Sequence, residues 1–289
     1  MEYIQTNDLT EKQHQEILKL QEICFDFEKL NNSSFLSNEL NCKREIPCFF
    51  LAYETGTLVA FLTCFIPSFS EAEINGCTHP DYRRQGIFTH LLSLSKAVLI
   101  PYGFTKYLLQ VEPKAKSALP YIQKLALDRE RTEYRLSIAK KDWKVKSHAT
   151  TKNLTLERVT EKTMEKFASI SSIVFEEPTE DSIGFITSIE KNPERSAYLC
   201  IKDGILVGVF NMHYEKADTA ILYGVGILPQ FRQQGLGYQM VSQALALAFS
   251  QTDTVFLDVD SNNPKAFSLY TRIGFTVSFQ VDYYTLLLA

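Results

Sequence analysis

The stretch Leu228-Pro229-Gln230-Phe231-Arg232-Gln233-Gln234-Gly235-Leu236-Gly237 decides how the chain is read. Ahead of it, Ala220–Ile227 is an apolar run of strand length. Behind it, Leu236 to Phe249 has helical spacing, apolar at Met240, Val241, Leu245 and Ala248. A glycine-bearing turn that enters a helix presents unpaired N–H groups and the positive end of the helix dipole. Such a turn suits an anion, a pyrophosphate for instance. Gly235 and Gly237 carry no Cβ and let a ligand approach the backbone, while Arg232 and the glutamines add donors. A plain strand-to-helix turn also uses glycine for positive φ, so the turn alone leaves both readings open. It is neither the dinucleotide fingerprint Gly-x-Gly-x-x-Gly nor a P-loop, because no Gly-Lys-Ser/Thr follows.

The turn occurs twice. HPDYRRQGIFTHLL, from His79, parallels LPQFRQQGLGYQMV, from Leu228: Pro80 pairs with Pro229, Arg83 with Arg232 and Gly86 with Gly235, at an offset of 149 residues. Downstream, YLLQVEPKAKSALPYIQKLAL echoes VFLDVDSNNPKAFSLYTRIGF. Upstream, CFFLAYETGTLVAFLTCFIP echoes AYLCIKDGILVGVFNMHY. At about 150 residues per domain, 289 residues suggest two domains, and the repeat makes them duplicates. The expected division is residues 1–140, a basic, polar linker at 141–153, and residues 154–289. Trp143 is read as packing the linker against one domain. The second half predicts strand 154–159, helices 163–174 and 181–189, and strands 197–202 and 206–213 around the turn Asp203-Gly204. Strand 220–227, helix 236–249, strand 254–259 and helix 264–273 follow, and strands 275–279 and 283–288 close it. The first half is expected to follow the same order, with its last strand at 133–139. The fold class is α/β of the mixed α+β kind, each half a mostly antiparallel mixed sheet flanked by helices.

Composition narrows function by exclusion. Forty-five per cent hydrophobic and 22% charged residues describe an ordinary globular chain rather than a disordered one. A formal charge of −4 argues against nucleic-acid binding. The polar start MEYIQTNDLTEKQHQ reads as no signal peptide, and the apolar runs fall short of the roughly 20 residues a bilayer needs. The expectation is a cytoplasmic protein with six reduced cysteines and no membrane partner. No Cys-x-x-Cys pair occurs and the five histidines have no ligand spacing, so no metal is expected.

A second motif follows the turn: Leu257-Asp258-Val259-Asp260, Asn263, Ala266, Leu269-Tyr270 and Gly274-Phe275. Together the two segments resemble the GNAT superfamily of acyl-CoA-dependent N-acyltransferases, whose patterns are Arg/Gln-x-x-Gly-x-Gly/Ala and Asn-x-x-Ala-x-x-Leu-Tyr-x-x-x-Gly-Phe. The resemblance covers the whole second half and implies a tandem GNAT protein. It further implies acetyl-CoA, or another acyl-CoA, as co-substrate and a small-molecule amine or peptide as acceptor. By position, the N–H groups of Gln233, Gln234, Gly235, Leu236, Gly237 and Tyr238 would hold the pyrophosphate, with Arg232 alongside. The strand at Val225–Ile227 would splay from 254–259 and open a slot for pantetheine. An N–H near Ile227 would polarise the thioester carbonyl, Asn263 would bond pantetheine or order its helix, and Tyr270 would protonate the leaving thiolate. Direct attack by the amine needs no covalent intermediate.

Several readings stay open. Asp258 and Asp260 are candidate bases or solvent-facing acids. Tyr223, His213 and Glu215 are further candidates to take the amine proton. The first half keeps Arg83 and Gly86 but carries Phe88 where a small residue is usual. It puts either Ala115 and Ile122, or Lys114 and Tyr121, at the asparagine and tyrosine positions. That half is expected to keep the fold with a degenerate site. Late-strand pairing, common in the family, would make the chain a monomer with an intramolecular pseudo-dimer. The alternative function is a non-catalytic acyl-CoA-binding sensor or scaffold.

Overall fold

The computed structural model describes residues 1–66, 70–144, 154–216 and 218–288. Most of the expected linker, from 145 to 153, lies outside the described residues. The chain forms two compact units, Met1–Glu133 with Phe279–Ala289, and Tyr134–Ser278.

Unit 1 begins with β1 (Glu2–Thr6) and α1 (Glu11–Glu28). Helix α1 starts at a capping box: the Thr10 hydroxyl accepts from Gln13 N at 3.2 Å, and the Gln13 side chain accepts from Thr10 N at 2.9 Å. Then come β2 (Phe49–Glu54), β3 (Thr57–Phe65), β4 (Glu71–Thr78), α2 (Ile87–Leu99), β5 (Lys106–Val111), α3 (Leu119–Lys124) and β6 (Asp128–Ala139). The β1-β2-β3-β4 part is antiparallel, and β4 and β5 run parallel. Thr55 and Gly56, with φ of 47° and 79°, turn the β2–β3 hairpin. One expectation fails here. The repeat predicts two helices after the first strand, but unit 1 has one, and residues 30–48 are irregular. There the backbone N–H groups of Asn31 and Asn32 both donate to the Glu112 carboxylate, so this stretch is satisfied by a residue far along the chain rather than by a helix of its own.

Unit 2 contains β7 (Leu154–Arg158), α4 (Met164–Phe175), α5 (Thr179–Glu190), β8 (Arg195–Lys202), β9 (Ile205–Lys216), β10 (Thr219–Ile227), α6 (Leu236–Ala248), β11 (Thr254–Asp260) and α7 (Pro264–Ile273). Its strand order is β6-β11-β10-β9-β8-β7. The predicted Asp203-Gly204 turn has φ of 51° and 81°, the left-handed pair a tight hairpin requires. Alternate residues of β8, β9 and β10 face opposite layers. Tyr198, Phe210, Met212 and Leu222 pack with Met240 and Leu245 of α6. Ala197, Leu199, Val209 and Tyr223 pack with Phe167 of α4 and Ile186 of α5. Trp143 packs on Phe249, ring centroids 5.3 Å apart.

The last strands depart from the expected division. The predicted strands 275–279 and 283–288 are one strand, β12 (Thr276–Leu287). No glycine or proline stands between Phe279 and Tyr283, and the carboxylate of Asp282 is taken up by the Thr132 hydroxyl at 2.6 Å, so the strand runs through. From Phe279 onward it belongs to unit 1, pairing antiparallel with β5 from Asp282↔Val111 to Leu287↔Lys106. Tyr283 and Thr285 donate to Glu133 and Glu130, both at 2.6 Å. In return, Tyr134–Ala139 of β6 belongs to unit 2. There Leu136 and Ile138 enter the core, and Arg135 makes a two-pronged pair with Asp258 at 2.7 and 2.6 Å. Each unit therefore takes its closing strand from the other half of the sequence.

Candidate functional site

In unit 2, β10 and β11 pair only from Thr219↔Thr254 to Ile221↔Phe256, although they continue to Ile227 and Asp260. On the other side of β10, the register with β9 slips between Tyr223 and Gly226, where Gly224 has φ of 56°. The bulge turns β10 away from β11 and leaves both strand edges unpaired. Val225 and Ile227 sit half-buried on that free stretch. A Cβ at Gly226 would overlap Val174 of α4, so glycine is needed there.

The turn beyond β10 is set by two left-handed residues, Gln233 at φ 62° and Gly235 at φ 78°. Gly235 is the N-cap of α6 and, among the described residues, provides no side-chain cap bond to the helix start. Gln239 N donates to Gly235 O at 3.2 Å, so the N–H groups of Leu236, Gly237 and Tyr238 lie ahead of the helix ladder. A Cβ on Gly235 would meet nothing within 4 Å, so the space above these donors is open. Leu236 is buried in the core, and the Tyr238 ring lies 5.2 Å from the Arg272 guanidinium. Gln234 bonds back to Gln230 O at 3.2 Å. Arg232, expected alongside the pyrophosphate, is exposed at the turn and bonds protein carbonyls. Its Nε donates to Ile227 O at 2.9 Å and a terminal nitrogen reaches Val174 O at 3.5 Å, so it ties the turn to β10 and α4.

Asn263 caps α7, its side-chain oxygen accepting from Ala266 N at 3.1 Å; of its two expected roles, the structure displays the ordering of the helix. Tyr270 is 6% exposed, packed edge-on against Phe275, and burial pushes its phenol up to about 12. Among the described residues its hydroxyl takes no hydrogen bond. Asp258 is engaged by Arg135 and is not a free base, and Asp260 accepts from Asn262 N at 2.7 Å. Glu215 is exposed. His213 and Tyr223 share the α4/α5 face of the sheet with two residues the sequence reading missed, Arg195 and Asn211. Burial first, then the Arg195 charge, hold His213 below its ordinary value, while Glu215 and Glu194 oppose this. Among the described residues no three His, Cys, Asp or Glu side chains gather as a metal set.

The model of the Acetyltransferase (GNAT) family matches residues 14–126 and 158–275. The chain belongs to the GNAT acetyltransferase family. No curated protein matches it. Among solved structures, a GCN5-related N-acetyltransferase from Sphaerobacter thermophilus is 15% identical with a TM-score of 0.77, covering 99% of this chain and 96% of its own. A tandem GNAT protein from the clavulanic acid biosynthesis pathway is 13% identical with a TM-score of 0.75, covering 100% and 98%. A GNAT-family acetyltransferase from Colwellia psychrerythraea is 12% identical with a TM-score of 0.68, covering 99% and 100%. At such identities the likeness speaks for the fold, here a tandem GNAT fold. Among the described residues no helix is long and apolar enough to cross a membrane.

The first GNAT half has the same wedge. Strands β4 and β5 pair from Glu71↔Lys106 to Ile74↔Leu109 and then part, around a cavity of about 540 Å³ that Gly76, Gly86, Gln110, Ala115 and Tyr121 help to line. Arg83 repeats the Arg232 contact, Nε to Thr78 O at 3.0 Å, and is also held by Glu28 at 3.2 Å. Glu28 accepts from Ser117 N and Oγ, both at 3.0 Å. The helix end fixes the register left open in the sequence. Leu127 N donates to Ile122 O as Phe275 N does to Tyr270 O, and Ala126, at φ 51°, stands at the Gly274 position. Ala115 and Ile122 therefore occupy the asparagine and tyrosine positions. Tyr121, one residue earlier, lines the cavity with its hydroxyl enclosed and, among the described residues, without a partner. Glu73 accepts from Gln110 at 2.8 Å and Arg131 at 3.0 Å, and its burial outweighs Arg131, lifting the carboxyl to about 7.

Proposed function

We propose that the chain transfers an acyl group, acetyl in the simplest case, from acyl-CoA to a primary amine of a small molecule or peptide. Unit 2 carries the chemistry, as a monomer in which each unit has its closing strand. The observation behind this reading is the conjunction, in one unit, of parted β10 and β11 edges with, among the described residues, a start of α6 that no side chain caps and a Tyr270 hydroxyl without a hydrogen bond. Pantetheine would lie along the free edge at Val225–Ile227, with its pyrophosphate on the N–H groups from Gln233 to Tyr238. A backbone N–H near Ile227 would polarise the thioester. Tyr270, with its phenol lifted to about 12, stays protonated at neutral pH and so has a proton to give the leaving thiolate. His213, whose charged form is disfavoured, would take the proton from the attacking amine, whereas burial lifts the Tyr223 phenol to about 12 and leaves it a hydrogen-bond donor. Free thiols at Cys24, Cys48, Cys64, Cys77 and Cys200 support a cytoplasmic setting.

Two variants at one glycine test the cofactor site. Both Gly235→Ala and Gly235→Trp place an L side chain at positive φ, a common cost of about 1–2 kcal/mol to folding. Only the tryptophan reaches into the open space above the turn. In titration calorimetry with acetyl-CoA, Gly235→Trp should weaken binding at least tenfold, about 1.4 kcal/mol, while Gly235→Ala stays close to wild type. Equal affinities for all three would place the cofactor elsewhere.

A non-catalytic acyl-CoA sensor is favoured by one observation: the 540 Å³ cavity lies in unit 1, where Ile122 replaces the tyrosine. The paired variants Arg83→Ala/Gly86→Trp and Asn263→Ala/Tyr270→Phe separate the readings. The first pair is expected to keep most thiol release with a working amine and the second to lose it. A dead first pair that remains folded by circular dichroism would move the active site to unit 1.

A further inference from the structure

Beneath α4 and α5, unit 2 buries polar atoms that its own fold leaves unpaired. Arg195 is 7% exposed, yet among the described residues its guanidinium makes neither an ion pair nor a hydrogen bond, and its Nε is sealed from solvent. Asn211 Oδ1 and the Tyr223 hydroxyl are likewise enclosed and unpaired. Register places all three together. Asn211 pairs with Tyr223 across β9–β10 and with Ala197 across β8–β9. Arg195 is two residues from Ala197, roughly 7 Å along β8 and on the same face. The shared face lies beside the β10 bulge, where the slot for the acyl group opens.

A buried guanidinium without an anion is costly, and three such orphans on one face are unusual in a packed core. A ligand that completes them would supply the partners the fold does not. We infer that this face is the acceptor subsite, and that the acceptor is an amine bearing a free carboxylate, which Arg195 neutralises while Tyr223 and Asn211 bond the neighbouring polar groups. The inference rests on the proposal that unit 2 is the acyl-transfer site. The charge count favours a carboxylate over a phosphate. Arg195 is the one permanent cation on this face among the described residues, since burial and Arg195 itself disfavour the charged form of His213. Glu194, at 3.8 Å from His213 Nε2, and the exposed Glu215 add negative charge nearby, so a dianion would be poorly matched.

The test pairs amino acids with their methyl esters, and adds phosphoethanolamine, on the full chain loaded with acetyl-CoA. Thiol release gives kcat/KM, and calorimetry gives binding for any probe that is not turned over. Wild type should prefer the acid to its ester by about tenfold or more, the size of a charge-assisted bond, and Arg195→Gln should erase that preference through KM. Acetyl-CoA affinity should not change. Arg195→Met removes the unpaired charge and should raise Tm while raising KM for the acid. Acids and esters used equally by wild type, or a preference that survives Arg195→Gln and Arg195→Met, would overturn the subsite. A preference for phosphoethanolamine would overturn the carboxylate. Failure of the unit 2 reading shows separately, as acetyl-CoA binding indifferent to Gly235→Trp, and leaves the acid-to-ester comparison standing.

Discussion

Tyr270→Phe is expected to lower kcat about a hundredfold while acetyl-CoA affinity stays near wild type, because the lost hydroxyl acts on charge that develops only in the transition state. The ring itself is preserved, so the packing with Phe275 and the end of α7 survives. The pH profile adds a sign. With the phenol lifted to about 12, Tyr270 remains protonated throughout the neutral and mildly alkaline range, and any alkaline fall in kcat below that must have another source. On the acid side, a His213 base held below its ordinary value keeps its lone pair to lower pH than a free imidazole would. Activity should therefore persist to lower pH than a free imidazole would allow before it drops, and His213→Ala should remove that acid limb. A turnover within threefold of wild type would reduce Tyr270 to a core residue.

Residues 154–289 expressed alone are expected to be insoluble or to melt far below the full chain. Such a fragment keeps β12 without its β5 partner and loses the part of β6 that unit 2 uses. Leu136 and Ile138 are 0% and 3% exposed, and burying two aliphatic side chains is worth roughly 3–6 kcal/mol, a large share of a domain's stability. Loss of Arg135 also strands Asp258. Residues 1–140 alone should fare as badly, without Val281, Tyr283 and Leu288. Co-expressing residues 1–144 with 154–289 should restore soluble, active protein. Thermal melts followed by circular dichroism decide this, and a cooperative melt of 154–289 within a few degrees of the full chain would sink it.

What the sequence made legible was local. The Asp203-Gly204 hairpin, the Gly235 turn and the Asn263 cap are each dictated by a few adjacent residues, and each forms where those residues stand. Alternation also marks residues 276–287 as strand, but a period of two says nothing about the partner, so membership in unit 1 could not be read. The irregular stretch 30–48 was hidden by analogy with the other half, and the Glu112 carboxylate that satisfies its backbone N–H groups stands about eighty residues away. Arg195 was invisible for a different reason. An arginine within a strand ordinarily extends to water, and its burial is decided by α4 and α5 lying over the sheet. Glu73 is similar: a carboxyl near 7 is made by its surroundings, Gln110 and Arg131 among them.

The borrowed strand also sets a schedule for synthesis. A ribosome adds roughly 5–20 residues per second, and N-terminal domains generally fold first. Here the first unit cannot close until Val281, Tyr283 and Leu288 have been made, on the order of ten to thirty seconds after its own strands emerge. Throughout that interval β5, with Tyr107, Leu108 and Leu109, is an uncovered edge. Translation pausing within the codons for residues 276–287 would prolong this exposure, and a nonsense mutation there would injure the unit built from residues 1–133 rather than the one built from 134–278.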